Sequence, residues 1–148
     1  MIIYFSCSIT GGRNDQEAYQ AIVSAIKAAG HEVPTAILAD ANILDIEVVT
    51  PAEEVYQRDI TWLDECDAVV AEVSTPSHGV GYEIAYALCK GKPVICGYQA
   101  GKRVSKMITG NTHPQITLIE YQDIPMFVEE LMMLLNGKNQ QANKNPKA

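Results

Sequence analysis

The chain has 148 residues and a net charge of −7, with 47% hydrophobic and 20% charged residues. Such a length suits one domain with a buried core, and such a balance is ordinary for a globular protein. The acidic surface lacks the basic footprint that a nucleic-acid polymer or an anionic membrane selects, and no apolar run approaches the roughly 18 residues of a membrane span.

The start, MIIYFSCS, has neither the basic end nor the length of a signal peptide. Four cysteines, Cys7, Cys66, Cys89 and Cys96, show no CxxC spacing and lie in apolar settings. They read as buried, reduced thiols of a cytoplasmic protein. His31, His78 and His113 are scattered away from other ligand types, so neither a metal nor a cofactor is assigned.

In chain order, IIYF (2–5) predicts a short strand entering the glycine-containing loop CSITGGRN (7–14). Asp15 can cap the helix that follows, whose core positions Ala18, Ile22, Ala25 and Ile26 recur at helical spacing, and Gly30 suits its C-terminus. EVPTAI (32–37) reads as a second strand held to an edge by Pro34. LADANILDIEVV (38–49) reads as a variable loop.

PAEEVYQRDITWLDECD (51–67) predicts a helix with proline in its first turn and acids near its positive end, turning Val55, Ile60, Trp62 and Leu63 to the core. DAVVAEV (67–73) has the near-continuous apolar pattern of a strand covered on both faces. The loop STPSHGVG (74–81), the helix EIAYALCKG (83–91) and the buried strand KPVICGY (92–98) come next. A short helix in GKRVSKMITG (101–110), the strand ITLIEY (116–121) and the amphipathic helix DIPMFVEELMMLLNG (123–137) complete the domain. The last stretch, 138–148, has no apolar residue beyond two alanines and reads as a disordered tail.

Strands alternating with helices predict an α/β fold: a doubly wound, mainly parallel five-stranded sheet with helices on both faces, Rossmann-like or flavodoxin-like. Ligands of such sheets bind at the carboxyl ends of the strands, where the strand order reverses. Three loops meet there: CSITGGR, STPSHGVG and QAGKRVS.

The GVG turn lets the backbone approach a ligand, and the following helix offers free N–H groups to an anion such as phosphate, with Ser77 as a hydroxyl donor. The plain alternative is a strand-to-helix turn that needs glycine for its geometry. Glu83 has a structural alternative as well, a first-turn glutamate interacting with the helix dipole. Asp59 could be a solvated helical charge, Tyr4 a core aromatic, Arg13 a surface charge, and Ser105 part of an ordinary basic face. Two carboxylates, a tyrosine and a serine-lined anion site suggest glycosidic chemistry, in which one carboxylate attacks the anomeric carbon and another group helps the leaving group depart. No P-loop lysine and no GxSxG elbow is present to support other reactions.

The stretches YFSCSITGGR (4–13), RDITWL (58–63), VVAEVSTPSHGVGYE (69–83) and GKRVSKMITG (101–110) resemble the 2′-deoxynucleoside 5′-phosphate N-hydrolases, members of the nucleoside 2-deoxyribosyltransferase superfamily. The likeness runs to about Tyr121 and implies a catalytic domain over 1–137. It implies that Glu83 is the nucleophile at C1′ of deoxyribose, that Asp59 assists the departing base and the incoming water, and that Tyr4 orients Glu83. Ser8, Ser77 and Ser105, the last from a neighbouring subunit, match groups that bind the 5′-phosphate. Gly79 and Gly81 match glycines that let the backbone approach it. Ile9, Gly11, Arg13 and Met107 accompany them as substrate-binding positions. Thr10 stands where those hydrolases carry the first arginine of S-I-R-G-G-R, which removes one charged donor from the expected phosphate site.

Ser77 separates two branches. Transferases acting on unphosphorylated nucleosides usually carry aspartate six residues before the nucleophile, which would repel a phosphate; serine accepts one. The resemblance therefore implies a cofactor-independent hydrolase of 2′-deoxynucleoside 5′-monophosphates, acting as a homodimer with composite sites. A base-exchanging 2-deoxyribosyltransferase and a non-catalytic nucleotide-binding module are the rival readings.

Overall fold

A computed structural model of the chain describes residues 1–9, 15–40 and 42–144. Four parallel strands, β1 (Ile3–Ser6), β2 (Ala68–Glu72), β3 (Val94–Gln99) and β4 (Ile116–Tyr121), lie side by side in chain order. Helix α1 (Gln16–Ala28) and helix α6 (Ile124–Lys144) cover one face; α3 (Ala52–Glu65) and α4 (His78–Cys89) cover the other. Short helices α2 (Ile43–Val49) and α5 (Lys106–Thr109) complete the order.

Strand β2 shows why the sheet is buried on both sides. All five of its residues are inaccessible: Ala68 and Val70 pack with α1 and α6, while Val69 and Ala71 pack with α3 and α4. A continuous apolar run is what such a two-faced environment demands. Tyr19, Ile22, Val23 and Ile26 form the buried stripe of α1, which Gly30 ends with a φ of 83°. On α3 the stripe is narrower than expected: Leu63 is fully buried, whereas Val55, Ile60 and Trp62 are only partly covered.

The expected fifth strand is reduced to one bridge. Glu32 pairs in parallel with Ile2, its N–H donating to the Met1 carbonyl at 2.9 Å and its carbonyl accepting from Ile3 N–H at 2.8 Å. Pairing then stops, because Pro34 has no N–H to continue the ladder and opens a 3-10 turn over Pro34–Ala39 instead. The bridge still flanks β1 opposite β2, so the strand order reverses at β1 and opens a crevice above it.

The segment expected as a variable loop contains α2, anchored by the fully buried Ile43 while Val48 and Val49 face outward. Helix α6 continues to Lys144, into the stretch expected to lack structure, and 145–148 lie outside the described residues. Cys7, Cys66 and Cys96 are buried thiols; Cys89, at the end of α4, is exposed, contrary to its apolar sequence setting. Asp15 sits at the N-cap of α1, but its carboxylate does not cap. It accepts instead from the Thr75 hydroxyl at 2.6 Å, tying α1 to the loop after β2.

Candidate active site

Tyr4 and Ser6 are two residues apart on β1, so they share the sheet face that packs against α4, and both are fully buried. Each gives its hydroxyl to one oxygen of Glu83. Tyr4 Oη donates to Oε1 at 2.9 Å, and Ser6 Oγ donates to Oε2 at 2.5 Å. The glutamate of α4 is therefore fixed at the carboxyl end of β1, in the crevice where the strand order reverses.

Burial pushes the Glu83 pKa up to about 7. The hydrogen bonds from Ser6 and Tyr4 act against it, the charge of Asp59 reinforces it, and Arg58 opposes it. Tyr4 is raised well above the usual phenol range, first by burial and then by the negative charges of Glu83 and Asp59. It thus stays a protonated donor while Glu83 changes state near neutrality. Asp59, on α3, accepts from Arg58 Nε at 2.8 Å, and the Arg58 guanidinium lies 5.0 Å from the centre of the Trp62 ring. A titratable carboxyl with fixed orientation and a second carboxylate close enough to perturb it is an arrangement suited to nucleophilic or acid–base work.

Helix α4 starts earlier than the sequence suggested. Ser77 is its N-cap, with Oγ accepting from Val80 N–H at 3.4 Å, and His78 is its first residue. Glu83 consequently lies beyond the first turn, which removes the helix-dipole explanation for a glutamate there. Gly79 and Gly81 lie inside the first turn with ordinary helical backbone, so neither is needed for a left-handed conformation. A Cβ at Gly81 would meet nothing within 4 Å, and one at Gly79 would meet only Ser77 Oγ at 3.8 Å. Glycine costs up to about 1 kcal/mol against alanine inside a helix, so two of them without an internal reason leave room for something outside the chain.

Ser77, Gly81, Ser105 and Met107 are brought together around a groove of about 860 Å³ between α4 and α5, floored by Val80, Ile84 and Val104 and bordered by Arg103. Ser105 caps α5, its Oγ accepting from Met107 N–H at 3.3 Å, and the Met107 side chain is 82% exposed. Tyr4, Asp59 and Glu83 do not line this groove. Ser8 is fully buried, and its Oγ has no hydrogen-bond partner among the described residues. An unsatisfied buried hydroxyl costs about 1–3 kcal/mol, a reason to expect a ligand acceptor at this point. Ile9 packs against the α1 side of the core. Gly11 and Arg13, like Thr10, lie outside the described residues.

Two participants escaped the sequence reading. Ser6 was findable from the two-residue period of the strand, which places it beside Tyr4. Arg58 directly precedes Asp59, but adjacency on a helix gave no reason to expect an ion pair.

Residues 3–137 match the family described as nucleoside 2-deoxyribosyltransferase. A protein of Methanococcoides burtonii, provisionally named 2′-deoxynucleoside 5′-phosphate N-hydrolase 1, is 38% identical over 118 residues, covering 80% of this chain and 97% of its own. The rat 5-hydroxymethyl-dUMP N-hydrolase is 43% identical over 112 residues, 73% of this chain and 68% of the relative. Among solved structures, the Clostridium botulinum CMP N-glycosidase BcmB superposes with a TM-score of 0.70 at 17% identity, covering 90% of this chain and 99% of that one. At that identity the superposition speaks for the fold alone.

Proposed function

The chain belongs to the nucleoside 2-deoxyribosyltransferase family, and from that premise we propose that it hydrolyses the N-glycosidic bond of 2′-deoxynucleoside 5′-monophosphates. The observation that carries this reading is the Glu83 carboxyl, held by Tyr4 and Ser6 at the crevice with Asp59 in electrostatic reach. The names of the rat and archaeal relatives support it. The fully buried Ser8 hydroxyl, without a hydrogen-bond partner among the described residues, and the absence of any steric need for glycine at 79 and 81 support an anion site beside it.

In the proposed reaction the Glu83 carboxylate attacks C1′ of the sugar. The C1′–N bond breaks, its electron pair leaves with the base, and a water molecule held by the Asp59 carboxylate supplies the proton that neutralises it. A glycosyl ester on Glu83 results. The hydroxide left from that water, steered by Asp59, attacks C1′ and releases 2-deoxyribose 5-phosphate and the Glu83 carboxylate. Tyr4 and Ser6 hold Glu83 for in-line attack. Ser8, Ser77 and the glycines of α4 bind the 5′-phosphate, with Ile9, Gly11, Arg13 and Met107 around the substrate. A second copy of the chain contributes Ser105, and the exposed Met107 with its apolar groove supplies a surface for that copy.

Incubation with a panel of deoxynucleotides, ribonucleotides and nucleosides, followed by chromatography for free base, tests the reading. Base and 2-deoxyribose 5-phosphate in equal amounts are expected from a deoxynucleotide. Release from nucleosides as fast as from nucleotides would overturn the anion site. A new nucleoside formed when a second free base is supplied would assign base exchange, and binding without turnover would make the protein a nucleotide-binding module.

A further inference from the structure

One buried acid takes no part in this chemistry. Glu72, the last residue of β2, is fully inaccessible, and its side chain points to the sheet face opposite Glu83. Its Oε1 accepts from the Tyr121 hydroxyl at 2.8 Å and from the Ser74 hydroxyl, and the Ser74 N–H lies 3.3 Å from each of its oxygens. Ser74 Oγ in turn accepts from Gln99 N–H at 2.8 Å. Through these contacts one carboxyl joins the carboxyl ends of β2, β3 and β4. Burial raises its pKa, and the bonds from Ser74 and Tyr121 act against that rise.

The location gives these bonds a purpose. The β2–β3 ladder ends at Val73, whose N–H donates to the Gly97 carbonyl at 2.9 Å. Ser74 follows directly, 5% exposed, with its N–H past the end of the ladder. An isolated buried amide is costly, and a side chain from the same strand end that satisfies it dictates where the chain leaves the sheet. Three residues later that chain presents Ser77 and opens α4. The Asp15–Thr75 bond holds the same loop from α1. A shift here would move Ser77 and the first turn of α4 together.

We propose that Glu72 is a positioning residue that sets the exit path of the loop 74–77 and thereby the placement of the phosphate-binding end of α4. The phosphate part of this statement rests on the function proposed above; the positioning of the loop does not. Glu72→Leu removes the acceptors, Glu72→Gln keeps shape and one carbonyl acceptor, and Tyr121→Phe removes one donor from the other side. Hydrogen–deuterium exchange separates positioning from general support. In Glu72→Leu the amides of 74–81 are expected to exchange at least about tenfold faster, with α1 amides unchanged, while Glu72→Gln stays within about threefold of wild type. Tyr121→Phe moves in the same direction and carries the test if Glu72→Leu does not fold. Unchanged exchange in 74–81, or equal acceleration in α1, would overturn the proposal.

The activity arm compares a deoxynucleotide with its nucleoside. Glu72→Leu is expected to lower kcat/KM at least about tenfold for the phosphorylated substrate and under about threefold for the nucleoside, with Glu72→Gln restoring most of the difference. Equal losses on both substrates would overturn the link to phosphate. A wild-type protein that cleaves neither substrate would refute the proposed function instead, leaving the exchange result to decide the role of Glu72.

Discussion

At Glu83, burial and the two β1 hydroxyls pull in opposite directions, and burial wins, leaving the carboxyl near a pKa of about 7. In the proposed reaction the ionised form attacks, so kcat/KM is expected to rise with pH through about 7, where it reports the free enzyme. Ser6→Ala or Tyr4→Phe removes a bond that favours the carboxylate, so either change should move that rise to higher pH; a rise that moves lower or stays in place contradicts the geometry. Stability carries the opposite trend. A carboxyl raised from 4.5 to about 7 contributes stability that is complete below the unfolded value and is lost as pH climbs through the folded one. Glu83→Gln should therefore melt above wild type at pH 8, with the gap closing toward pH 5. Glu83→Ala should lose several orders of magnitude in turnover while staying folded, and retention of more than about a tenth of the rate, only about 1.4 kcal/mol of barrier, excludes a nucleophilic role. Glu83, Asp59 and Tyr4 were legible as a pattern of residue types in a known order. Their contacts were not, because Tyr4 and Glu83 are 79 positions apart and only the sheet brings them together.

Among the elements, strand identity was readable wherever an apolar run met a turn signal, and β4 occupies the whole of ITLIEY. EVPTAI misled because its β-forming composition could not tell how many backbone bonds Pro34 would remove. The 38–49 stretch misled in the other direction: the fully buried Ile43 anchors a two-turn helix whose Val48 and Val49 face outward. KPVICGY holds a glycine inside a buried strand, a weak residue there by propensity. The fold supplies the reason. A Cβ at Gly97 would stand 2.5 Å from Phe127, the fully buried aromatic of α6 whose ring stacks on Tyr121 with centroids 5.1 Å apart. Gly97→Ala must therefore push α6 off the sheet or twist Phe127 from its rotamer, and about 1–3 kcal/mol of destabilisation is expected from urea unfolding. The double change Gly97→Ala with Phe127→Leu should recover part of that loss. A Gly97→Ala protein as stable as wild type would mean that the β3–α6 packing is looser than the contact implies.

For the molecule as a whole, the open question is whether one chain holds a complete site. Ser77 and Ser105 line the same groove within one chain, as the N-caps of α4 and α5, so a site complete in cis is sterically reasonable. Against it, Met107 is 82% exposed beside Val104 and Ile108, an apolar edge that a second copy would cover. Arg103 borders that groove as well, and in a chain of net charge −7 it would be drawn to an anion held by another acidic subunit. Complementation distinguishes the two arrangements. In the proposed reaction a Glu83→Ala chain lacks the nucleophile, and a Ser105→Glu chain repels the phosphate. If Ser105 serves its own chain, both kinds of site in a mixed dimer carry one defect, and activity stays at the level of the separate variants. If Ser105 serves the neighbouring chain, one site of each mixed dimer receives Glu83 from one chain and Ser105 from the other, while its companion site receives both defects. Mixed dimers should then recover about half of the wild-type activity, since one site in two is intact and independent sites add. Subunit exchange is verified by native mass spectrometry of the same mixture, and exchanged dimers without recovered activity would return Ser105 to its own chain.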